Sequence, residues 1–173
     1  MTGTHFILRY RLDQVDGYLI WYGDDVDGVV IDSETRQILV FSNPTCLRNY
    51  AKNIGMQLAD EDISLYDVDT IQSWLKTPKN KTVDCVSFLN AWNLFADVAA
   101  SIGDSNFDSN RQKTNKIYNK LFWGNNLPVV TPPSKHYEPI LTARDVKILQ
   151  EVLKYGLFMF RQAVQPIDRG KDY

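Results

Sequence analysis

The sequence predicts an α+β fold in which an N-terminal antiparallel sheet of about four strands packs on a C-terminal bundle of about four to five helices. The first forty residues alternate short β-rich segments with turn residues, and the remainder carries helical periodicity between caps and prolines. Strands followed by helices indicate a small sheet against a helical bundle. We expect a single domain over residues 1–173, with mainly strands in 1–43 and mainly helices in 44–173.

The predicted sheet begins with two β-rich segments, "HFILRYRL" (5–12) and "YLIWY" (18–22), separated by the turn residues "DQVDG". After the turn-rich break "GDDVDG" (23–28), the segments "VVID" and "RQILVF" flank "SETR", which predicts a tight hairpin. Together these segments predict an antiparallel meander.

The first two helices are predicted from their ends. Ser42 or Asn43 can cap a helix with Pro44 at its first position, and Gly55 can end it. A short helix follows, capped by Asp67 or Asp69 and stopped by Pro78.

Three longer helices are predicted from their apolar stripes. The segment 83–103 is apolar on more than one side and is expected to be buried, and 111–123 forms a shorter amphipathic helix. The segment 142–161 opens with a Thr-x-x-Asp cap and has two apolar stripes, which predict a central helix. The proline-rich segment 124–141 is expected to be an extended crossing, and the tail 165–173 to be loose.

The charge of the chain is divided between its two parts. Residues 1–73 hold 12 acidic against 5 basic side chains, a balance of −7, and residues 74–173 hold 9 against 14, a balance of +5. This division argues against a general nucleic-acid binder, which needs one coherent basic face. It fits a protein that presents an acidic surface to a basic partner.

The stretch "DVDGVVIDSE" resembles the nucleophile motif of the haloacid-dehalogenase phosphatases, with Asp25 as the nucleophile and Asp27 as the acid. "IGDSNFD" resembles the second acidic motif of that family, in which Asp104 and Asp108 would hold magnesium. The motif requires a buried parallel strand before the nucleophile, yet Gly23 and Asp24 stand there. We therefore favour an acidic turn between strands and keep the magnesium-dependent phosphatase as the alternative function.

Other catalytic or metal chemistry lacks the residues that it needs. No alignment of the acidic stretch with a calcium-binding loop places oxygen ligands at all of the required positions. The two cysteines and two histidines do not have the close sequence spacing of zinc ligands. We expect no catalytic residues, no metal and no cofactor. No run of eighteen apolar residues and no signal-peptide pattern occurs, so we expect a cytoplasmic protein without a membrane segment.

The segment "KLFWGNNLPVVTPPSKHYEPIL" has two interpretations. Trp123 and Tyr137 on a rigid proline-rich backbone are suited to anchor a partner. Alternatively, Phe122, Trp123 and Leu127 fill the core while the prolines cross its surface.

The layout of the chain resembles the bacterial immunity proteins of contact-dependent inhibition and polymorphic toxin systems. The resembling pieces are "VVIDSETRQILVFSNPTCLRNYAKNIGM", "ISLYDVDTIQSWL", "FLNAWNLFADVAASIG" and "IYNKLFWGNNLPVVTPPSKHYEPILT" before a final amphipathic helix. The resemblance implies a non-enzymatic protein that binds one cognate toxin domain and blocks its active site. Such toxins are often basic nucleases, which suits the acidic part of this chain.

We therefore expect an immunity protein, not an enzyme, that binds a basic toxin domain rather than nucleic acid or a membrane. Two groups of acidic residues are expected to steer the partner, and exposed aromatic residues to anchor it. The expected partner-binding residues are Asp24, Asp25, Asp27, Asp60, Glu61, Asp62, Trp123 and Tyr137.

Overall fold

The computed structural model of the protein describes residues 4–23 and 26–164. It confirms the α+β class, with a four-stranded sheet formed mainly by the N-terminal part of the chain and with five α-helices, of which four follow the last strand. The strands are β1 (Thr4–Leu12), β2 (Val15–Gly23), β3 (Gly28–Val29) and β4 (Leu65–Asp67), and the helices are α1 (Pro44–Asn53), α2 (Val68–Lys76), α3 (Cys85–Ile102), α4 (Arg111–Gly124) and α5 (Ala143–Ala163).

The sheet has the strand order β3-β2-β1-β4. β1 and β2 form an antiparallel hairpin whose two-residue turn, Asp13 and Gln14, has both φ angles positive, at 54° and 63°. Such a turn matches the twist of the paired strands. β3 is antiparallel to β2, whereas β4 is parallel to β1, so the sheet is mixed and not wholly antiparallel as the sequence predicts.

One part of the predicted meander differs from the structure. Residues 36–41 form isolated bridges, Ile31 with Ile38 and Tyr18 with Phe41, instead of a continuous strand. The fourth strand is β4, which immediately precedes α2. Its three residues are too short to carry a periodic pattern, and it pairs with a strand more than fifty residues earlier.

Both faces of the sheet are covered. Residues at alternate positions of β1 and β2, such as Leu8, Tyr10 and Leu19, pack against the helices of the C-terminal part. Ile20 points to the opposite face, where it packs with Val30, Leu39 and Leu47 beneath α1. The result is one helix, the sheet and the helical bundle in successive layers.

α3 is the centre of the bundle. It is the one helix among the described residues with the length and apolar composition to cross a membrane, and eight of its residues are buried inside the fold, as in a core helix. α5 crosses it at Gly156, where an added Cβ would lie 2.3 Å from Cδ2 of Phe95. A glycine is therefore needed for this close approach.

Side-chain caps fix the helix ends as the sequence predicts. Asn43 accepts a hydrogen bond from the Cys46 amide at the start of α1. Asp67 caps α2, and Thr142 and Asp145 form a reciprocal capping box at the start of α5.

The segment between α4 and α5, residues 125–141, is the proline-rich crossing. Asn126 fixes it: its side chain donates to the carbonyl oxygens of Gly124 and Tyr137 and accepts from the Tyr137 amide at 2.7 Å. The predicted loose tail, 165–173, lies outside the described residues.

Candidate functional site

A cleft of about 310 Å³ opens beside the first half of β1, before the residues that pair with β4. We call it the acidic cleft. It is lined by Phe6, Ile7, Leu8, Trp21, Ala59, Glu61, Asp62, Ser64 and Tyr66.

The cleft forms because the segment 59–64, which runs beside β1, bonds to this strand only at its two ends. The Ala59 amide donates to the His5 carbonyl at 2.8 Å, and the Arg9 amide donates to the Ser64 carbonyl at 3.3 Å. Between these two contacts residues 60–63 bow away from the strand. The opening therefore lies opposite Ile7, on the side of β1 that faces away from β2.

Three aromatic side chains form the wall of the cleft. The rings of Phe6 and Trp21, cross-strand neighbours, lie 5.3 Å apart at an angle of 48°. Tyr66 on β4 is partly buried against the same core, and burial raises the pKa of its hydroxyl. All three rings are partly buried, so their positions are fixed by packing while part of their surface is free for a ligand.

Asp97 of α3 lies behind this wall. Its carboxylate accepts a hydrogen bond from the indole Nε1 of Trp21 at 2.8 Å. Burial, together with repulsion from Asp27, raises the pKa of Asp97 to about 6, although the Trp21 bond acts in the other direction. The carboxylate is thus held in a poorly hydrated place where a positive charge would stabilise it.

Asp27 is brought close to the cleft by the contact between β3 and α3. The Val29 amide donates to Oγ of Ser101 at 2.8 Å, and this hydroxyl donates to the Asp97 carbonyl at 2.7 Å. A Cβ at position 28 would lie 2.8 Å from the same hydroxyl, so Gly28 permits the approach. Asp27 itself is exposed, and a Cβ at Gly23 would lie 2.9 Å from the Trp21 ring and 3.4 Å from Oδ1 of Asp27, so this carboxylate is close to Trp21.

The rim of the cleft carries uncompensated negative charge. Glu61 and Asp62 are exposed, and within the described residues neither forms a salt bridge. The two arginines of β1, Arg9 and Arg11, pair with Asp16 and alternate onto the opposite face from Phe6. These arginines therefore do not neutralise the carboxylates at the rim of the cleft.

The structure brings together part of the predicted site. Glu61 and Asp62 line the cleft, Asp27 lies beside it, and Asp60 is exposed at its border. Asp24 and Asp25 lie outside the described residues.

The two predicted aromatic anchors lie elsewhere. Trp123 is 47% exposed at the end of α4, and Tyr137 is 41% exposed on the crossing. The crossing lies near the start of α3. Gly124 is in close contact with both Cys85 of α3 and Pro139 of the crossing, since a Cβ at this glycine would touch both residues. Cys85 and Asp97 are twelve residues apart on one helix, so the two regions lie about 18 Å apart along its axis.

The residues of the phosphatase motifs have other contacts. Asp27 lies on the connection between two antiparallel strands. Asp104 accepts from the Tyr155 hydroxyl at 2.8 Å and the Asn106 amide at 2.7 Å, and Asp108 pairs with Arg111. No cluster of three or more potential metal ligands occurs in the described part of the chain.

Sequence reasoning missed Phe6, Trp21, Tyr66 and Asp97. One signal was visible for Asp97, the single charged residue in the otherwise uncharged sequence of α3. A charge on a core helix indicates a specific partner. Phe6 and Trp21 carry no such signal, because alternation in a strand assigns them to the core face, and Tyr66 lies in a strand that is too short to show a pattern.

Comparisons with known proteins support the fold. No protein-family model matches the chain, and no curated protein matches it. Among solved structures, the C-terminal domain of SatS, crystallised in complex with bromine, matches with a TM-score of 0.57 over 93% of this chain and 92% of that domain. The sequence identity is 13%, so the likeness concerns the fold alone.

Proposed function

We propose that this chain is a non-catalytic binding protein that neutralises a cognate bacterial toxin domain, and that the acidic cleft is its contact site. The observation that carries the proposal is that Glu61 and Asp62 line one cleft together with Phe6, Trp21 and Tyr66, with Asp27 close to Trp21. The class of partner rests on the resemblance to immunity proteins and on the acidic balance of residues 1–73.

The cleft combines the two properties that a basic partner needs. Its exposed carboxylates accelerate the encounter with a basic surface and select against acidic ones. Its partly buried aromatic rings lose little conformational freedom on binding and offer apolar area at the centre of the contact. A wall of rigid rings inside an acidic rim therefore supports tight and specific binding.

The alternative, a magnesium-dependent phosphatase using Asp25 and Asp27, receives less support. Its nucleophile belongs at the carboxyl end of a buried parallel strand, whereas β2 is antiparallel to both of its neighbours. If Asp27 served as the acid, the purified protein with magnesium would release phosphate from a generic phosphoester, and Asp27→Asn would abolish the release. We expect no release above the buffer rate from either protein.

The binding function is tested with the product of the reading frame directly upstream of this gene. The wild-type chain is expected to bind the purified toxin domain and to inhibit its activity in a stoichiometric manner. Glu61→Gln with Asp62→Asn should raise the Kd by about tenfold or more at low salt, and the difference should shrink as salt increases.

The matched control is Glu34→Gln with Glu138→Gln, which removes two exposed charges away from the cleft. It should leave the Kd within about twofold of wild type. Inhibition that survives neutralisation of the cleft, or that the control variant weakens equally, would exclude the cleft as the contact site. No binding by the wild-type chain would exclude the toxin as its partner.

A further inference from the structure

We propose that the acidic cleft is a receptor for one arginine side chain of the basic partner. The inference rests on the proposed function and specifies its chemistry: the guanidinium lies against Phe6 and Trp21, its outer nitrogens pair with Glu61 and Asp62, and its inner N–H groups reach the backbone of β1 at Ile7.

The backbone at Ile7 supplies the inner acceptor. In an antiparallel pair, the hydrogen-bonding groups of successive residues point to opposite edges. Ile20, the cross-strand partner of Ile7, accepts from the Val30 amide at 2.8 Å on the far side, so Ile7 directs its own N–H and C=O towards the cleft edge. Among the described residues, the chain opposite that edge bonds to β1 at His5 and Arg9 and not at Ile7.

The volume of the cleft fits a single side chain of the partner but not a whole helix. About 310 Å³ accommodates one long side chain, whereas a helix, about 10 Å across, would not enter. The opening is bounded by β1 on one side and by residues 59–64 on the other. An incoming group must therefore be long and slender, with its charge at the tip.

The chemistry of the walls favours arginine over lysine. A guanidinium is planar, stacks on aromatic faces and is more weakly hydrated than an ammonium. It presents five N–H donors, enough for two carboxylates and a backbone carbonyl at once, and it pairs with carboxylates in a bidentate geometry. The ring wall, the two rim carboxylates and the Ile7 carbonyl match this set of donors.

Asp97 adds negative potential behind the aromatic wall of the cleft. Its carboxylate is 2.8 Å from the Trp21 indole nitrogen, directly behind the aromatic wall. A bound guanidinium would favour its ionised form, so binding below neutral pH should release a proton. Lysine would bring the same charge, but without the stacking and the forked donors.

The proposal is tested by NMR titration with three capped pentapeptides, Gly-Gly-X-Gly-Gly, in which X is arginine, lysine or citrulline. We expect the arginine peptide to shift the Trp21 indole N–H and the Ile7 and Glu61 amides, with a Kd on the order of 1 mM. The lysine peptide should bind at least about fivefold more weakly. The neutral citrulline peptide should give no shifts at these positions.

Two variants localise the effect. Glu61→Gln with Asp62→Asn should remove the shifts, and Glu34→Gln with Glu138→Gln should retain them. Phe6→Leu keeps an apolar side chain but removes the ring, and should weaken the arginine peptide about threefold while leaving the lysine peptide nearly unchanged. Equal binding of the arginine and lysine peptides, shifts outside the cleft, or no shifts at saturating peptide would each overturn the proposal.

The two proposals fail in different ways. If the arginine peptide does not bind but neutralising Glu61 and Asp62 still weakens toxin binding, the arginine receptor is excluded and the binding function stands. If the peptide binds at the cleft but the upstream toxin domain does not bind the chain, the receptor stands and the toxin is excluded as its partner.

Discussion

The acidic cleft and the proline-rich crossing lie at opposite ends of α3, and both present aromatic side chains to solvent. In the cleft, Trp21 is partly buried and its indole N–H is bonded to Asp97. On the crossing, Trp123 is 47% exposed, and Val129 and Ile140 are 95% and 81% exposed. The cleft is concave and has the carboxylates of Glu61 and Asp62 at its rim, whereas the crossing is a surface segment fixed by the side chain of Asn126.

This difference is the reason why we propose the cleft, and not the more exposed crossing, as the binding site. A strongly exposed aromatic residue gains little from a partner that covers only one side of it, and single exposed apolar residues are common on proteins. A ring held in a concave wall is covered on several sides by one ligand group. The sequence singles out Trp123 and Tyr137, but the geometry favours Phe6, Trp21 and Tyr66 as anchors.

The largest effect on stability is expected from Trp21→Phe. The change removes the indole donor and leaves the Asp97 carboxylate partly buried without it, which should cost about 2–3 kcal/mol of unfolding free energy at pH 7. The loss should be smaller near pH 5, where Asp97 takes up a proton. Urea unfolding at both pH values measures it, and an equal loss at both would show that Asp97 is not the cause.

A smaller effect of opposite sign, a gain in the free energy of unfolding, is expected from Asp97→Asn. Because folding raises the pKa of Asp97 from 3.8 to about 6, the folded protein binds more protons than the unfolded chain in that window, and stability falls as the pH rises through it. Asparagine keeps an acceptor for Trp21 and removes this penalty. The variant should be about 1–2 kcal/mol more stable at pH 7, a figure reduced because the group is partly exposed.

The same variant should match wild type below about pH 3, where Asp97 is protonated in both the folded and the unfolded state. Thermal unfolding from about pH 3 to pH 8 follows the difference in stability. A constant offset between the two proteins across this range would contradict the assigned titration.

A local effect is expected at the crossing from Asn126→Ala. The change removes three hydrogen bonds and places alanine at a φ of 49°, which should cost about 1 kcal/mol. Amide hydrogen exchange should accelerate in residues 125–140 and stay unchanged in 5–22. Faster exchange in β1 or β2 would show that the two regions are coupled.

The smallest effect is expected from Trp123→Phe. Because Trp123 is nearly half exposed, the change should alter the unfolding free energy by less than about 0.5 kcal/mol. A loss comparable to that of Trp21→Phe would mean that Trp123 fills the core, which is the alternative interpretation of this segment.

Helices were predictable because their signals are local. Asn43 with Pro44 marks the start of α1, and Thr142 with Asp145 marks the start of α5, each within a few residues of the sequence. The parallel strand β4 depends on contacts with a strand more than fifty residues away, and no local pattern specifies it.

The cleft was predictable only in part for the same reason. The acidic residues Glu61 and Asp62 stand out in the sequence, but their neighbours Phe6 and Trp21 belong to another segment. The opening itself results from the bowed path of residues 60–63 between two backbone contacts. Such a path is set by where the flanking residues pair, and it leaves no mark in composition or periodicity.

The most direct test of the acidic cleft as the contact site is amide hydrogen exchange of the chain, free and in complex with the upstream toxin domain. We expect slower exchange on binding at residues 59–66 and at the Trp21 indole N–H, with residues 125–140 unchanged. Protection confined to residues 125–140, with no change at 59–66, would contradict it.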